Sequence, residues 1–348
     1  MAVASGAEPL GSGLTGSAAE GPQAGAKGKV LVVAGTHGNE CNAPWLLDAW
    51  ARLPGRLNSS GLALCPLIGN PDALAQSRRY LDRDLNRCFQ PALLADPARQ
   101  EREVVRARSL LADHAPEAAD PCLVVIDLHS TTAAMGNCLV VYGRRPADLA
   151  LAAALQQKLG LPIYLHEGDP HQNGYLAEAW PCGLVIEVGP VPQGVLTAAV
   201  VLQTAIALEA TLALLAGARQ GRLPQPTHLV VHRHRQSLDL PRHGNGSPAA
   251  VIHPLRQHRD WQPLRAGDPL FQATDGVTIA YSPPAGLENQ LVWPVFINEA
   301  AYGEKGIALS LTSRERWPVQ PSWTEALQAL TSGLLQAYQP ERDQPQGV

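Results

Sequence analysis

Nowhere does this chain of 348 residues hold the roughly 18 to 20 uninterrupted apolar residues that a spanning helix needs, and its first residues lack the basic-then-apolar order of a secretory signal. A cytoplasmic chain without a membrane partner is expected. No C-x-x-C pair occurs among Cys41, Cys65, Cys88, Cys122, Cys138 and Cys182, which lie scattered in apolar surroundings. Buried free thiols suit that pattern better than a disulfide framework or a thiolate zinc knot. Charge of neither sign dominates: 27 basic and 31 acidic residues give a formal net charge of −4. That excludes a global field able to gather nucleic acid, so a small-molecule partner is expected. The loop "GTHGNE" (35–40) has neither the Gly-Lys-Ser/Thr ending of a P-loop nor the third glycine of a dinucleotide fingerprint, which argues against a nucleotide. No G-x-S-x-G elbow is present to make Ser130 or its neighbours Thr131 and Thr132 a nucleophile.

What is present is an alternation. "KVLVVAG" (29–35), "GLALCPLIGNP" (61–71), "CLVVIDLHS" (122–130), "NCLVVYG" (137–143) and "GLVIEVGP" (183–190) are apolar runs punctuated by turn residues. Helical spacing follows the first of them and recurs near 98–113, 147–159 and 194–216. Strands apolar on both faces, alternating with amphipathic helices, indicate an α/β fold with a mostly parallel or mixed sheet flanked by helices. After about residue 217 the texture becomes short alternating runs broken by Gly and Pro, with no long helix until about Ser322, which predicts a smaller β-rich C-terminal domain. The expected organisation is a flexible extension over 1–27, a catalytic domain over 28–217, the β-rich domain over 218–338, shaping the substrate channel, and a flexible tail over 339–348. Trp261, Trp293 and Trp317 read as packing residues of the β-rich part, and His228, His232 and His234, interleaved with Arg233 and Arg235, as an exposed polar face.

Ligand sites in open α/β sheets collect beyond the carboxyl ends of the strands. Three such ends carry polar groups here: His37 with Glu40, Asp127 with His129, and Glu187. Catalytic zinc takes three imidazole or carboxylate ligands and keeps a fourth position open, a set that His37, Glu40 and His129 would supply. Asp127, two residues before His129 on an extended chain, points to the same side and is placed to orient an imidazole. Gly35 and Gly38 would let the backbone turn sharply around the ion. The segment "SRRYLDRDLNRCF" (77–89) gathers Arg78, Arg79, Arg83 and Arg87 around Asn86. Either this is a solvated, salt-bridged face, or its guanidinium forks read the carboxylates of an acidic substrate.

Five stretches, "GTHGNE", "RRYLDRDLNR", "DLHSTT", "IEVGPVPQGV" and "PVFINEAAYGEKG", closely resemble in order and spacing the aspartoacylase branch of the zinc-carboxypeptidase-like deacylases, over roughly residues 29–312. The resemblance implies one Zn2+ per subunit held by His37, Glu40 and His129, with Glu187 as the base that activates water. It further implies that Arg79 polarises the scissile carbonyl, that Asn86 and Arg87 grip a substrate carboxylate, and that Tyr302 reaches the substrate from the second domain, with Lys305 a further contact. The expected reaction is deacetylation of N-acetyl-L-aspartate by a homodimer. A deacylase of N-acetyl aromatic or other amino acids is the alternative, and a zinc-dependent metabolite binder without turnover is a third reading. The chain departs from the family in having no arginine about ten residues before Glu187, and Gly303 stands where an aromatic residue is common.

Overall fold

The structure, a computed structural model, describes residues 27–169 and 172–337. The flexible tail expected over 339–348, and all but the last residue of the extension expected over 1–27, lie outside the described residues. Twelve strands follow in chain order: β1 (Lys29–Ala34), β2 (Leu64–Ile68), β3 (Cys122–Ser130), β4 (Asn137–Tyr142), β5 (Ile163–His166), β6 (Cys182–Val188), β7 (His228–Leu238), β8 (Ala250–Ile252), β9 (Pro269–Ala273), β10 (Thr278–Ala280), β11 (Trp293–Val295) and β12 (Leu309–Pro318). The helices are α1 (Asn42–Arg52), α2 (Pro71–Ala75), α3 (Pro91–Ala95), α4 (Arg102–His114), α5 (Pro146–Leu159), α6 (Ala198–Arg219) and α7 (Pro321–Ser332).

Nine strands form one sheet in the order β11-β12-β7-β5-β4-β6-β3-β1-β2, and β10-β9-β8 form a small second sheet. The pairs β1–β2, β1–β3, β3–β6, β4–β5 and β5–β7 are parallel, while β4–β6, β7–β12 and β11–β12 are antiparallel. This is the mixed, mostly parallel architecture that the apolar runs predict. The interior strand β3 is buried along nearly its whole length because helices cover both faces. On one face Val124, Ile126 and Leu128 pack with α1, α5, α6 and α7; on the other Val125 packs with Val104, Ala107 and Leu110 of α4. Each such aliphatic side chain contributes about 1.5–3 kcal/mol when fully buried.

Residues beyond 217 contribute to both sheets. Strands β7, β11 and β12 extend the large sheet, while β8, β9 and β10 build the small one, whose apolar side chains share a core with Leu309 and Leu311 of β12. The chain then returns through α7, which packs on α5 and α6, and Leu334 bridges back to Gly28 beside β1.

Two local expectations are corrected by the structure. His232 and His234 are buried, not part of an exposed face; only His228 is exposed. The His232 ring lies against Trp261 and Trp293, and His234 Nδ1 lies 2.9 Å from the Tyr164 hydroxyl, because β7 is an interior strand of the large sheet. Trp317 packs against the main core on the α5–α7 side and carries the Arg144 guanidinium over its ring. Helix α6, at 22 residues, has the length and apolar composition of a spanning helix. More than half of its apolar stretch is buried in protein, and Glu209 on it accepts a hydrogen bond from the Asn58 amide.

Candidate metal and catalytic site

The loop between β1 and α1 carries His37 and Glu40, and its path is set by two glycines. Gly35 adopts a φ of 65°, the left-handed region that only glycine enters without strain. Gly38 sits so close to the first turns of α2 that a Cβ there would lie 2.1 Å from the Ala73 carbonyl carbon. His37 and Glu40 are thereby turned back under the end of β3, where His129 projects.

The three side chains converge. His37 Nδ1 lies 2.6 Å from Glu40 Oε1, and His129 Nδ1 lies 3.0 Å from Glu40 Oε2. One ligand atom from each of the three falls within 4.8 Å of the others, and all three residues are buried. The remaining nitrogen of each ring is also held by a carboxylate: His37 Nε2 is 3.0 Å from Asp84 Oδ1, and His129 Nε2 is 2.7 Å from Asp127 Oδ2. Asp127 is fixed in turn by the Thr36 hydroxyl at 2.7 Å. Two imidazoles and a carboxylate, with each imidazole braced on its far side by an anion, are the donor set and the outer support that a catalytic zinc ion requires, so the residues present fit that ion.

Electrostatics keep the cluster poised. Burial would raise the Glu40 carboxyl, but the facing His37 and His129 imidazoles outweigh it and hold it below the ordinary range. For His129 burial works downward, yet Asp127 and Glu40 push its affinity for a proton well above the usual histidine value. Asp84 is likewise opposed by burial but held well below the usual range by Arg79, His37 and Lys305. Glu187, on β6 directly beside His129 in register, is raised well above the ordinary carboxyl value, first by burial and then by the negative charge of Glu40 and Glu299.

Around this centre the loop bearing the arginines is pinned by Glu103, a fully buried carboxylate on α4. It accepts from the backbone amides of Leu81, Asp82 and Arg83 at 2.7, 3.1 and 3.0 Å and from the Asn70 amide group at 3.1 Å. The result sets three of the four arginines apart. Arg79 turns inward, 3.6 Å from Glu40 and 3.3 Å from Asp84, and Arg87 lies over the Tyr175 ring at 4.2 Å, whereas Arg78 is exposed. Asn86 is buried and accepts the Leu176 amide at 2.8 Å. Tyr302 enters from the turn before β12, its ring 5.4 Å from Phe296, and Lys305 Nζ donates to Asp84 at 3.1 Å. Burial and the neighbouring Arg87 bring the Lys305 ammonium down to about 8.

A single cavity is lined by His37, Glu40, Arg79, Asn86, Arg87, His129, Glu187 and Tyr302, so all the residues singled out as ligand, base or substrate contact except Lys305 border one space. Lys305 stands one step out, on an adjoining surface hollow. Sequence reasoning missed several groups. Asp84 lay inside the quoted arginine segment, but nothing in sequence spacing tied it to His37. The aromatic wall of Tyr142, Tyr164, His166, Tyr175 and Phe296 was not foreseen. Nor was Glu299, which accepts from the Thr132 and Ala133 amides at 2.8 and 3.1 Å and from the Thr131 hydroxyl, fixing the chain just after His129. The segment shortly before Glu187 contributes no arginine to the cavity; Gln172 and Tyr175 line that side, Gln172 accepting from Arg87 at 3.0 Å.

A buried His–Glu–His cluster at the carboxyl edge of a mixed α/β sheet, with a carboxyl group and arginines facing it, is an arrangement that metal-dependent hydrolases use. Comparison with known proteins agrees. Residues 26–215 match the succinylglutamate desuccinylase/aspartoacylase catalytic domain, and residues 227–314 match the barrel-sandwich hybrid domain of the same family. The chain belongs to this family of deacylases. It is 58% identical over 301 residues to a probable aspartoacylase of Parasynechococcus marenigrum (strain WH8102), covering 86% of this chain and 98% of that protein. A probable aspartoacylase of Prochlorococcus marinus (strain MIT 9313) is 56% identical over 302 residues, covering 87% and 98%. Among solved structures, murine aminoacylase 3 superposes with a TM-score of 0.74 at 33% identity, covering 84% of this chain and 97% of that one.

Proposed function

We propose that this protein is a zinc-dependent amidohydrolase that cleaves N-acetyl-L-aspartate to aspartate and acetate. The observation that carries the reading is the single cavity in which His37, Glu40 and His129 converge while Glu187, Arg79 and Arg87 border the same space. Similarity to the probable aspartoacylases supports the choice of substrate.

A zinc ion held by His37, Glu40 and His129 would supply Lewis acidity to the acyl carbonyl and make water acidic enough to attack at neutral pH. The chain's own groups do the rest. Glu187 accepts the proton of the attacking water and passes it to the nitrogen as the carbon–nitrogen bond breaks, so that the amine leaves neutral. Arg79 donates to the oxygen on which negative charge develops, an interaction of a kind that typically lowers a barrier by about 3–4 kcal/mol. Arg87, held over the Tyr175 ring and braced by Gln172, presents its guanidinium to a substrate carboxylate, with Asn86 beside it. Tyr302 closes the cavity from the C-terminal part of the chain.

A second reading is deacylation of N-acetyl aromatic or other amino acids: the aromatic wall of Tyr142, Tyr164, Tyr175 and Phe296 favours an aromatic side chain, and the likeness to murine aminoacylase 3 favours an aminoacylase in general. Hydrolysis of a panel of N-acetyl amino acids by the zinc-loaded protein separates the two. A higher kcat/KM for the aspartyl than for the phenylalanyl and tyrosyl substrates is expected; the reverse order would replace the first reading by the second.

A further inference from the structure

At the opposite edge of the sheet the structure gathers two cysteines and a histidine from three different elements. Cys65 stands near the start of β2, Cys122 opens β3, and His114 is the last residue of α4. Their ligand atoms lie within 4.8 Å of one another, and Cys65 Sγ is 3.8 Å from His114 Nδ1. Cys122 is fully buried; Cys65 and His114 are half-buried, so the cluster reaches solvent on one side. The His114 backbone is fixed by the Trp180 indole, which donates to its carbonyl at 2.9 Å.

A disulfide does not explain this arrangement. Strand β1 lies between β2 and β3, with Leu31 opposite Cys65 and Lys29 opposite Cys122, so the two cysteine backbones stand at least two strand spacings apart, roughly 9.5 Å or more. A disulfide needs its Cα atoms within about 7 Å. A metal ion bridges the wider gap, since ligands at roughly 2.0–2.3 Å from a tetrahedral ion are about 3.6–3.8 Å from each other. The Cys65–His114 separation already matches that edge.

We infer that Cys65, Cys122 and His114 form a second, thiolate-containing binding site for a zinc-class divalent ion, separate from the catalytic centre. The length of β3 places the two sites roughly 25 Å apart, since Cys122 and His129 stand near its opposite ends. Two thiolates and an imidazole leave a fourth position for water, the Asp120 carboxylate being ion-paired with Lys29 at 2.7 Å. Such an ion would tie the end of α4 to the sheet through β2 and β3, a structural role distinct from hydrolysis.

Cobalt(II) added to the chelator-treated full-length protein tests the inference, because only thiolate coordination produces a sulfur-to-metal charge-transfer band in the near ultraviolet. The band is expected in the wild-type protein and in His129→Ala, and is expected to vanish in Cys65→Ser and in His114→Ala with hydrolysis of N-acetyl amino acids retained. Zinc content is expected to fall from two ions per chain to one in Cys65→Ser. In the His129→Ala background, added zinc should raise the melting temperature, and Cys65→Ser should cancel that rise. Absence of the band in the wild-type protein, or a band of full intensity in both Cys65→Ser and His114→Ala, would overturn the inference without touching the catalytic reading.

Discussion

Glu187 and His129 stand side by side in register on the neighbouring parallel strands β6 and β3, both at the carboxyl edge of the sheet. Residues paired in this way direct their side chains to the same face, so the proposed base is positioned by backbone hydrogen bonding, not by a mobile loop. Replacing Glu187 with Gln keeps its size and leaves the ligands untouched. Turnover is expected to drop by a factor on the order of 10²–10⁴ while bound zinc, measured by elemental analysis, stays at the wild-type level.

The imidazoles owe their orientation to Asp84 and Asp127. Converting either carboxylate to its amide, Asp84→Asn or Asp127→Asn, should weaken zinc binding by about 10- to 100-fold, as competition with a chelator would register. Equal affinity in all three proteins would show that the histidines are held by packing alone.

Arg87 lies against Tyr175 and borders the cavity away from the cluster of metal ligands. The contact proposed for it with a substrate carboxylate would be made in ground state and transition state alike. For Arg87→Ala the Michaelis constant for N-acetyl-L-aspartate should therefore rise on the order of 10- to 100-fold with kcat changed only a few-fold. Lysine at this position should restore little, since it offers neither the planar fork nor the stacking surface. A collapse of kcat at unchanged Michaelis constant would move Arg87 from substrate binding to the chemical step.

Stability should carry a pH signature from Asp260, which lies in the C-terminal part of the chain. It is buried, with one oxygen accepting the Ile297 amide at 3.0 Å and the other without a hydrogen-bond partner among the described residues. Burial pushes its carboxyl up to about 6. The folded state thus binds this proton more tightly than the unfolded chain, whose carboxyl titrates near 3.9. The associated stabilisation is complete below about pH 4 and is lost as pH rises through 6, on the order of 2–3 kcal/mol in all. Asp260→Asn should melt at a higher temperature than the wild type at pH 7.5, with the gap closing by about pH 4. A gap independent of pH would contradict the assignment.

Much of this architecture is legible in the sequence because β-branched runs ended by glycine are local signals. The strands β1, β3, β4 and β6 and the helices α4, α5 and α6 fall where periodicity puts them, within a few residues. The four-residue β5 is too short to show a period, though it carries Tyr164 and His166 into the cavity. Alternation marks β7 and β12 as strands but says nothing of what they pair with, so their joining the large sheet, and with it the burial of His232 and His234, could not be read. The proposed metal ligands His37, Glu40 and His129 are only weakly marked by spacing, and it is the resemblance of five stretches to a family that singles them out; the structure brings the three together. Asp84, Glu103 and the Cys65–His114–Cys122 cluster depend on contacts between distant segments, which no local pattern encodes.

The central claim is that one divalent ion held by His37, Glu40 and His129 enables hydrolysis. Its most direct test is to strip the Cys65→Ser protein with a chelator and titrate zinc back while following hydrolysis of N-acetyl-L-aspartate. Activity is expected to be absent from the stripped protein, to rise in proportion to added zinc and level off at one ion per chain, and to stay absent when His129→Ala is also present. Full hydrolysis by the stripped protein, or by the variant carrying His129→Ala, would contradict the account.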